Sequence, residues 1–347
     1  MLLSLVLGTF MFLSSFIAVR GIDNLGETIS ASTDLLTRSA KPCVHVTSQG
    51  DINVSDHETL TIQNCQFSMT GRVTADDYAT IAVRNAKLTL SPANSDGISI
   101  VLKGQARLLV INSTVTFNRA VGDCEIVVEA EAQANITEST ISSRGYIAGH
   151  DLSTICVVNS SIHDVPPSIH SPGVVTYDTS RVDVENSTVD GVYVWGNSTA
   201  IVDRSNVVTL RTASTESEKT VINITDSHVD SLETFGGSAV FYISNSVVAY
   251  TSYFHYDTCA WVRDSSISGV RATGNATVWL IDCSIGEIST DGNAKVLIGW
   301  NLPLFGPVGV PYSWIPFMQA ASIAMVIMGM VAVLYSLYRR KRAKEED

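Results

Sequence analysis

The segments "VDVENSTV" (Val182–Val189) and "ICVVNSSI" (Ile155–Ile162) follow one plan: apolar, variable, apolar, variable, Asn, Ser, variable, apolar. With the Asn as position zero, the plan recurs at Asn64, Asn85, Asn112, Glu138, Asn159, Asn186, Arg204, Asp226, Asn245, Asp264 and Asp282. Position −2 is aliphatic in every copy, from Ile62 through Val184 to Leu280, and position −4 is apolar from Leu60 to Val278. Position +1 is Cys65, Ala86, then serine from Ser113 to Ser265, and finally Cys283. Position +3 is apolar from Phe67 to Ile285.

Alternation at −4 and −2 is the period of a strand with one buried face. The buried parity changes from even to odd across position zero, as a one-residue corner between two strands requires. Asn and Asp tolerate the left-handed backbone that such a corner needs. The copies lie 18 to 27 residues apart, too close for propeller blades, and they lack helical periodicity. The reading is therefore an all-β solenoid of about 11–12 coils stacked through parallel ladders over residues 43–300. At about 4.8 Å per coil, its stack is near 50 Å long.

These eleven copies resemble a right-handed parallel β-helix of the pectate-lyase-like superfamily. The resemblance covers about Cys43 to Trp300 and implies Asn and Ser ladders at the corner. It implies little about activity, because the fold carries lyases, hydrolases, tailspikes, adhesins and passive surface proteins. Glu138 and Arg204 depart from the corner pattern and point to a zero column that partly faces solvent.

Both termini read differently from the solenoid. Residues 1–21 read as a secretory signal, with an apolar run from Leu2 to Val19. Residues 22–42 read as an N-terminal cap, with Glu27 to Ala40 a candidate capping helix. Residues 301–315 hold a proline-rich cap and stalk that continues neither coil nor helix. Residues 316–338, "PFMQAASIAMVIMGMVAVLYSLY", are uncharged and long enough for one membrane span. The tail at 339–347 carries Arg339, Arg340, Lys341, Arg342 and Lys344, which places it in the cytoplasm and the body outside.

The chain carries a net charge of −12, and its basic tail leaves the body more acidic still. That balance argues against nucleic acid as a partner. Eight Asn-x-Ser/Thr sites fit an exterior body: Asn53, Asn112, Asn135, Asn159, Asn186, Asn197, Asn223 and Asn275. Three of them, Asn112, Asn159 and Asn186, are corner residues that the repeat itself writes. The six cysteines are disulfide candidates: Cys43 with Cys65, and by proximity Cys124 with Cys156 and Cys259 with Cys283.

No catalytic or metal-binding set and no cofactor motif emerges. Asp76-Asp77 is the sole Asp-Asp pair and lacks a basic or His partner at a matching offset. His163 and His170 bracket two prolines at a spacing that matches no metal motif, and Gly149-His150-Asp151 is weaker still. One outward column does exceed what the fold needs: position −3 becomes Tyr242, Trp261 and Trp279 in the last copies. An exposed aromatic row marks a contact surface, covered either by the chain's own tail or by a partner. The expectation is a non-enzymatic, membrane-anchored surface glycoprotein, structural, adhesive or recognitional, with an archaeal envelope favoured. Its partners would be the membrane, a second copy, an envelope protein or a glycan. The alternatives are a tethered polysaccharide lyase or hydrolase, with carboxylates on the connections after Phe67, Leu88, Val115 and Ile162, and an envelope spike of a virus.

Overall fold

A computed structural model describes residues 45–92, 97–118, 124–143, 145–164, 173–215, 217–302 and 306–311. The signal, the capping segment and the stretch 316–338 lie outside these residues. Among the described residues every regular element is a strand, and no helix is long and apolar enough to cross a membrane.

The strands form a parallel β-solenoid of about eleven coils. A 13-stranded sheet holds the residues just before each corner, beginning with Thr59–Gln63, Thr80–Arg84 and Arg107–Ile111. An 18-stranded sheet holds those after it. In the first coils this second sheet has two short strands per coil, such as Gln66–Thr70 and Val73–Ala75, with a bend or loop between them. From Thr188–Trp195 onward the two fuse. That strand pairs through Thr188 and Val189 with Ser161–Asp164, and through Val192–Val194 with Val174–Thr176.

All eleven corner residues have φ between +47° and +52°, including Glu138 and Arg204. Such a backbone costs an L-residue about 1–2 kcal/mol, so the template prefers Asn and Asp, whose short polar side chains bond locally. The corner side chains are exposed and form partial ladders: Asn112 Nδ2 donates to Asn85 Oδ1 at 2.9 Å, and Asn186 Nδ2 to Asn159 Oδ1 at 2.6 Å. Arg204 instead pairs with Glu185 and Asp203.

The serine that follows is buried in all eight copies. Each hydroxyl donates to the carbonyl two residues before it and accepts the amide of the +1 residue one coil earlier. Ser187 Oγ, for example, donates to Glu185 O at 2.7 Å and accepts from Ser160 N at 3.0 Å. This relay runs unbroken from Ala86, whose amide donates to Ser113, to Ser265. It gives the +1 amide a partner, where a buried unpaired group would cost about 1–3 kcal/mol, and adds a second donor to a carbonyl that already accepts the corner amide of the preceding coil.

The lumen is filled by β-branched and other apolar side chains, Val182, Val184 and Val189 among them, at or below 1% exposure. The C-terminal end departs from the irregular cap read in the sequence. Gly306–Pro311 folds back antiparallel on Lys295–Leu302, with Leu297 opposite Pro311 and Leu302 opposite Gly306. The reversed direction ends the parallel progression, and Pro307 and Pro311 lack the amide hydrogens that a further strand would need.

Two pairs of substitutions separate the physics of wall and corner. Val184→Asp places a carboxylate in the lumen and lowers stability by several kcal/mol, whereas Glu185→Asp, one residue away on the outside, leaves it nearly unchanged. Asn186→Val and Asn186→Gly both lose the amide ladder and both hold a left-handed backbone, but only valine has a Cβ that makes it costly, so it unfolds about 1–2 kcal/mol sooner in denaturant. Equal midpoints within either pair would contradict the assigned parity or the corner.

Candidate functional site: the outward columns

A second corner, absent from the sequence reading, sets the edges of the outer faces. Positive φ recurs at Asp56, Asp77, Gly104, Ala130, Asp151, Asp178, Gly196, Gly237, Tyr256 and Gly274, each eight residues before a first-corner residue. A turn closes over most of these positions, as in Ser153 N to His150 O at 3.1 Å and Ser180 N to Tyr177 O at 3.1 Å. At Gly237 a Cβ would lie 2.2 Å from the Ser214 carbonyl oxygen, so only glycine fits. The acids here serve the backbone: Asp151 Oδ2 accepts the Ala130 amide at 3.2 Å, and Asp178 Oδ2 the Asp151 amide at 3.3 Å.

That role accounts for two of the sequence candidates. Asp77 is a second-corner residue, and Asp76 Oδ1 accepts its amide at 2.8 Å. His150 stacks on Tyr177 at 4.7 Å and 8°, and Tyr177 in turn meets Trp195 at 5.8 Å. His163 contacts Ser161 and lies 3.7 Å from Asp190, while His170 lies outside the described residues. Among the described residues no three His, Cys, Asp or Glu side chains converge as a metal site. The connections after Leu88, Val115 and Ile162 fall partly outside the described residues.

The cysteines occupy opposite faces of the wall. Cys156, Cys259 and Cys283 are free thiols, so the pairings of Cys124 with Cys156 and Cys259 with Cys283 are not made. Cys124 begins a strand of the 18-stranded sheet and Cys156 sits in the other sheet; Cys259 is on the outward −5 column and Cys283 on the inward +1 column. Cys65 is half-buried in that inward column, and Cys43 lies outside the described residues. Burial, with the Asp183 carboxylate beside it, pushes the Cys156 thiol up to about 11, which removes it as a nucleophile at neutral pH.

The aromatic row stands on the outside. Tyr242, Trp261 and Trp279 are register partners in adjacent strands. Tyr242 is 48% and Trp261 38% exposed, Trp279 is half-buried, and the first two rings stack at 5.2 Å and 11°. The next strand places Leu297 beside Trp279, and Asn223 precedes Tyr242 at the other end.

A second outward column runs along the fused strands of the 18-stranded sheet. Tyr193, Arg211, Glu233, Tyr253 and Arg271 follow one another in register. Arg211 donates to Glu233 Oε2 at 2.9 Å and to the Tyr193 hydroxyl at 3.1 Å, and its guanidinium lies 5.4 and 5.5 Å from the Tyr193 and Phe235 rings. Tyr253 stacks on His255 at 6.2 Å. Desolvation, then the Arg271 charge, holds that imidazole below its ordinary value, against an opposing pull from Glu233. Trp195, Phe235 and Tyr250 add 43%, 53% and 65% exposed rings on the same side. The sequence does carry this column, seven residues after the first corner in Tyr193, Arg211, Glu233 and Arg271. A bulge between Val248 and Thr251 moves Tyr253 to the eighth place and hides the repeat.

Among the sequence sites for N-glycosylation, Asn53 and Asn197 are exposed, and Asn135 and Asn223 are half-buried in the outward −3 column. Asn197 Oδ1 accepts the Lys219 amide at 2.8 Å, which leaves its Nδ2 directed away from that bond. Asn112, Asn186 and Asn275 donate from Nδ2 to Asn85, Asn159 and Asp257 respectively, and Asn159 accepts in its ladder.

No protein family, curated protein or solved structure matches the chain. The parallel β-solenoid therefore rests on its own ladders, and the outward columns on their own chemistry.

The raised Cys156 thiol has a direct readout. At pH 8 its iodoacetamide alkylation runs about a hundredfold slower in the folded chain than in the unfolded one, and it climbs about tenfold per pH unit until near 11. Peptide mass spectrometry measures both rates, and equal rates at pH 8 would contradict the buried, acid-flanked setting.

Proposed function

We propose that the chain is a non-enzymatic surface protein that a C-terminal span anchors in an envelope membrane, with its solenoid outside as an adhesive or recognition body. The finer resemblance to a right-handed helix of the pectate-lyase-like superfamily belongs to this reading. Its main support is the column Tyr193–Arg211–Glu233–Tyr253–Arg271. An arginine held between two rings and a carboxylate offers both a planar cation and apolar ring faces, the mixture that contact surfaces favour over the bare exterior of a monomer. The apolar stretch 316–338 followed by five basic residues supports the anchor and its orientation.

Native lysines test the topology on intact cells that carry the full chain. A membrane-impermeant amine reagent labels Lys103, Lys219 and Lys295, which are exposed, and leaves Lys341 and Lys344 unlabelled until the membrane is opened. Label on the two tail lysines of sealed cells would overturn the orientation. In the same cells, Arg211→Ala with Tyr253→Ala lowers mutual adhesion or glycan-array binding at unchanged lysine labelling. Unchanged adhesion and binding would remove this face as the contact surface, and polysaccharide turnover by the purified full chain would replace the reading with an enzyme.

A further inference from the structure

The aromatic row ends abruptly at Tyr242. Parallel coils lie about 4.8 Å apart, so two rings stacked at 5.2 Å and 11° have their planes across the solenoid axis. One face of Tyr242 is against Trp261, and the other looks along the axis over the preceding coil. The residue in register there is Asn223, whose side chain is too short to cover a phenol ring. Tyr242 accordingly keeps 48% exposure, more than Trp261 at 38%.

Asn223 is also the first residue of the sequon Asn223-Ile224-Thr225. Its flanking Ile224 is buried in the lumen, so the strand is fixed and the amide must project outward beside the open ring face. We propose that Asn223 carries an N-linked glycan whose first sugar stacks on the free face of Tyr242 as the next layer of the Tyr242–Trp261–Trp279 row. This rests on the exterior placement of the solenoid. A pyranose presents a face of C–H groups, slightly positive, that suits the negative face of an aromatic ring. A sugar joined to Nδ2 begins where the asparagine ends, in the layer that Tyr242 leaves empty. The fold also supplies a control. Asn135-Ile136-Thr137 is the same tripeptide in the same −3 column, but its register neighbours are Leu109 and Cys156, neither of them aromatic.

The test uses the full chain from a host that glycosylates Asn-x-Thr sites, with site-resolved glycopeptide mass spectrometry during timed amidase digestion of the folded protein. Asn223 is expected to carry a glycan that is released about tenfold more slowly than those at Asn135 or Asn197, the factor that corresponds to about 1.4 kcal/mol. Tyr242→Phe keeps that protection, and Tyr242→Ser abolishes it without changing release at the other two sites. An empty Asn223 beside occupied Asn53 or Asn197 would overturn the proposal while leaving the exterior placement intact. Equal release at all sites, or slow release that survives Tyr242→Ser, would overturn the stacking. Absence of glycan from all eight sites would remove the exterior placement and the proposal with it.

Discussion

Every first corner of this solenoid turns through left-handed backbone, and all but the one at Asp226 are preceded eight residues earlier by a second such turn; most other features follow from that. The corners lie eight residues apart, so the segment between them has one length and stacks in register. This produces the uninterrupted 13-stranded sheet. All the variation in repeat length falls on the other side, where loops come and go until the two strands fuse at Thr188–Trp195. The corner also breaks the ladder locally, and the buried serine relay repairs it. A methyl group at Ser187 would leave the Ser160 amide without its partner, while the Glu185 carbonyl would keep the Asn159 amide; the orphaned buried amide explains why the column stays serine while its outward neighbours drift.

The first corner was legible in the sequence because its demands fall on three adjacent columns at once: a residue tolerant of positive φ, a serine, and an aliphatic residue three places on. The second corner makes a weaker demand. Its residue is Asp in Asp56, Asp77, Asp151 and Asp178, glycine in others, and even Ala130 and Tyr256, so no single residue type marks it. Only the constant spacing to the first corner betrays it. The aromatic row was legible because parity alone directs Tyr242, Trp261 and Trp279 outward. The Tyr193 to Arg271 column was not, because a further bend and a one-residue bulge both shift its offset. The antiparallel strand Gly306–Pro311 was hidden by prolines, which forbid an interior strand but not a terminal one.

What the fold demands and what it leaves free are thus separable column by column. Inward positions answer to packing, so their sequence says little about function. On the −3 column the earlier coils carry no aromatic ring, running from Thr61 and Ala82 through Leu109 and Asp183 to Ile201 and Asn223. In the late coils that column becomes a row of rings, and the outer face of the fused strands carries charges held by named partners. A stacked ring or an arginine clamped between tyrosine and phenylalanine loses side-chain freedom that solvent would otherwise preserve. That ordering is offset within the chain by the Arg211–Glu233 pair and the ring contacts.

Under the proposed surface role, the placement of the sequons bears on which face would meet a partner. Asn112, Asn159 and Asn186 are at the first corner, Asn135 and Asn223 on the −3 column, and Asn197 and Asn275 beside the second corner. Seven of the eight therefore lie on the constant segment and its two edges; Asn53 alone belongs to the other sheet, in the first coil. Glycans on any of these seven would crowd the 13-stranded face and its corners. None would project from the outer face of the fused strands between Thr188 and Thr290, where Arg211 and Tyr253 stand. A macromolecule that approaches a sugar-bearing solenoid meets least steric resistance there, so the distribution of sequons and the chemistry of the second column select the same side.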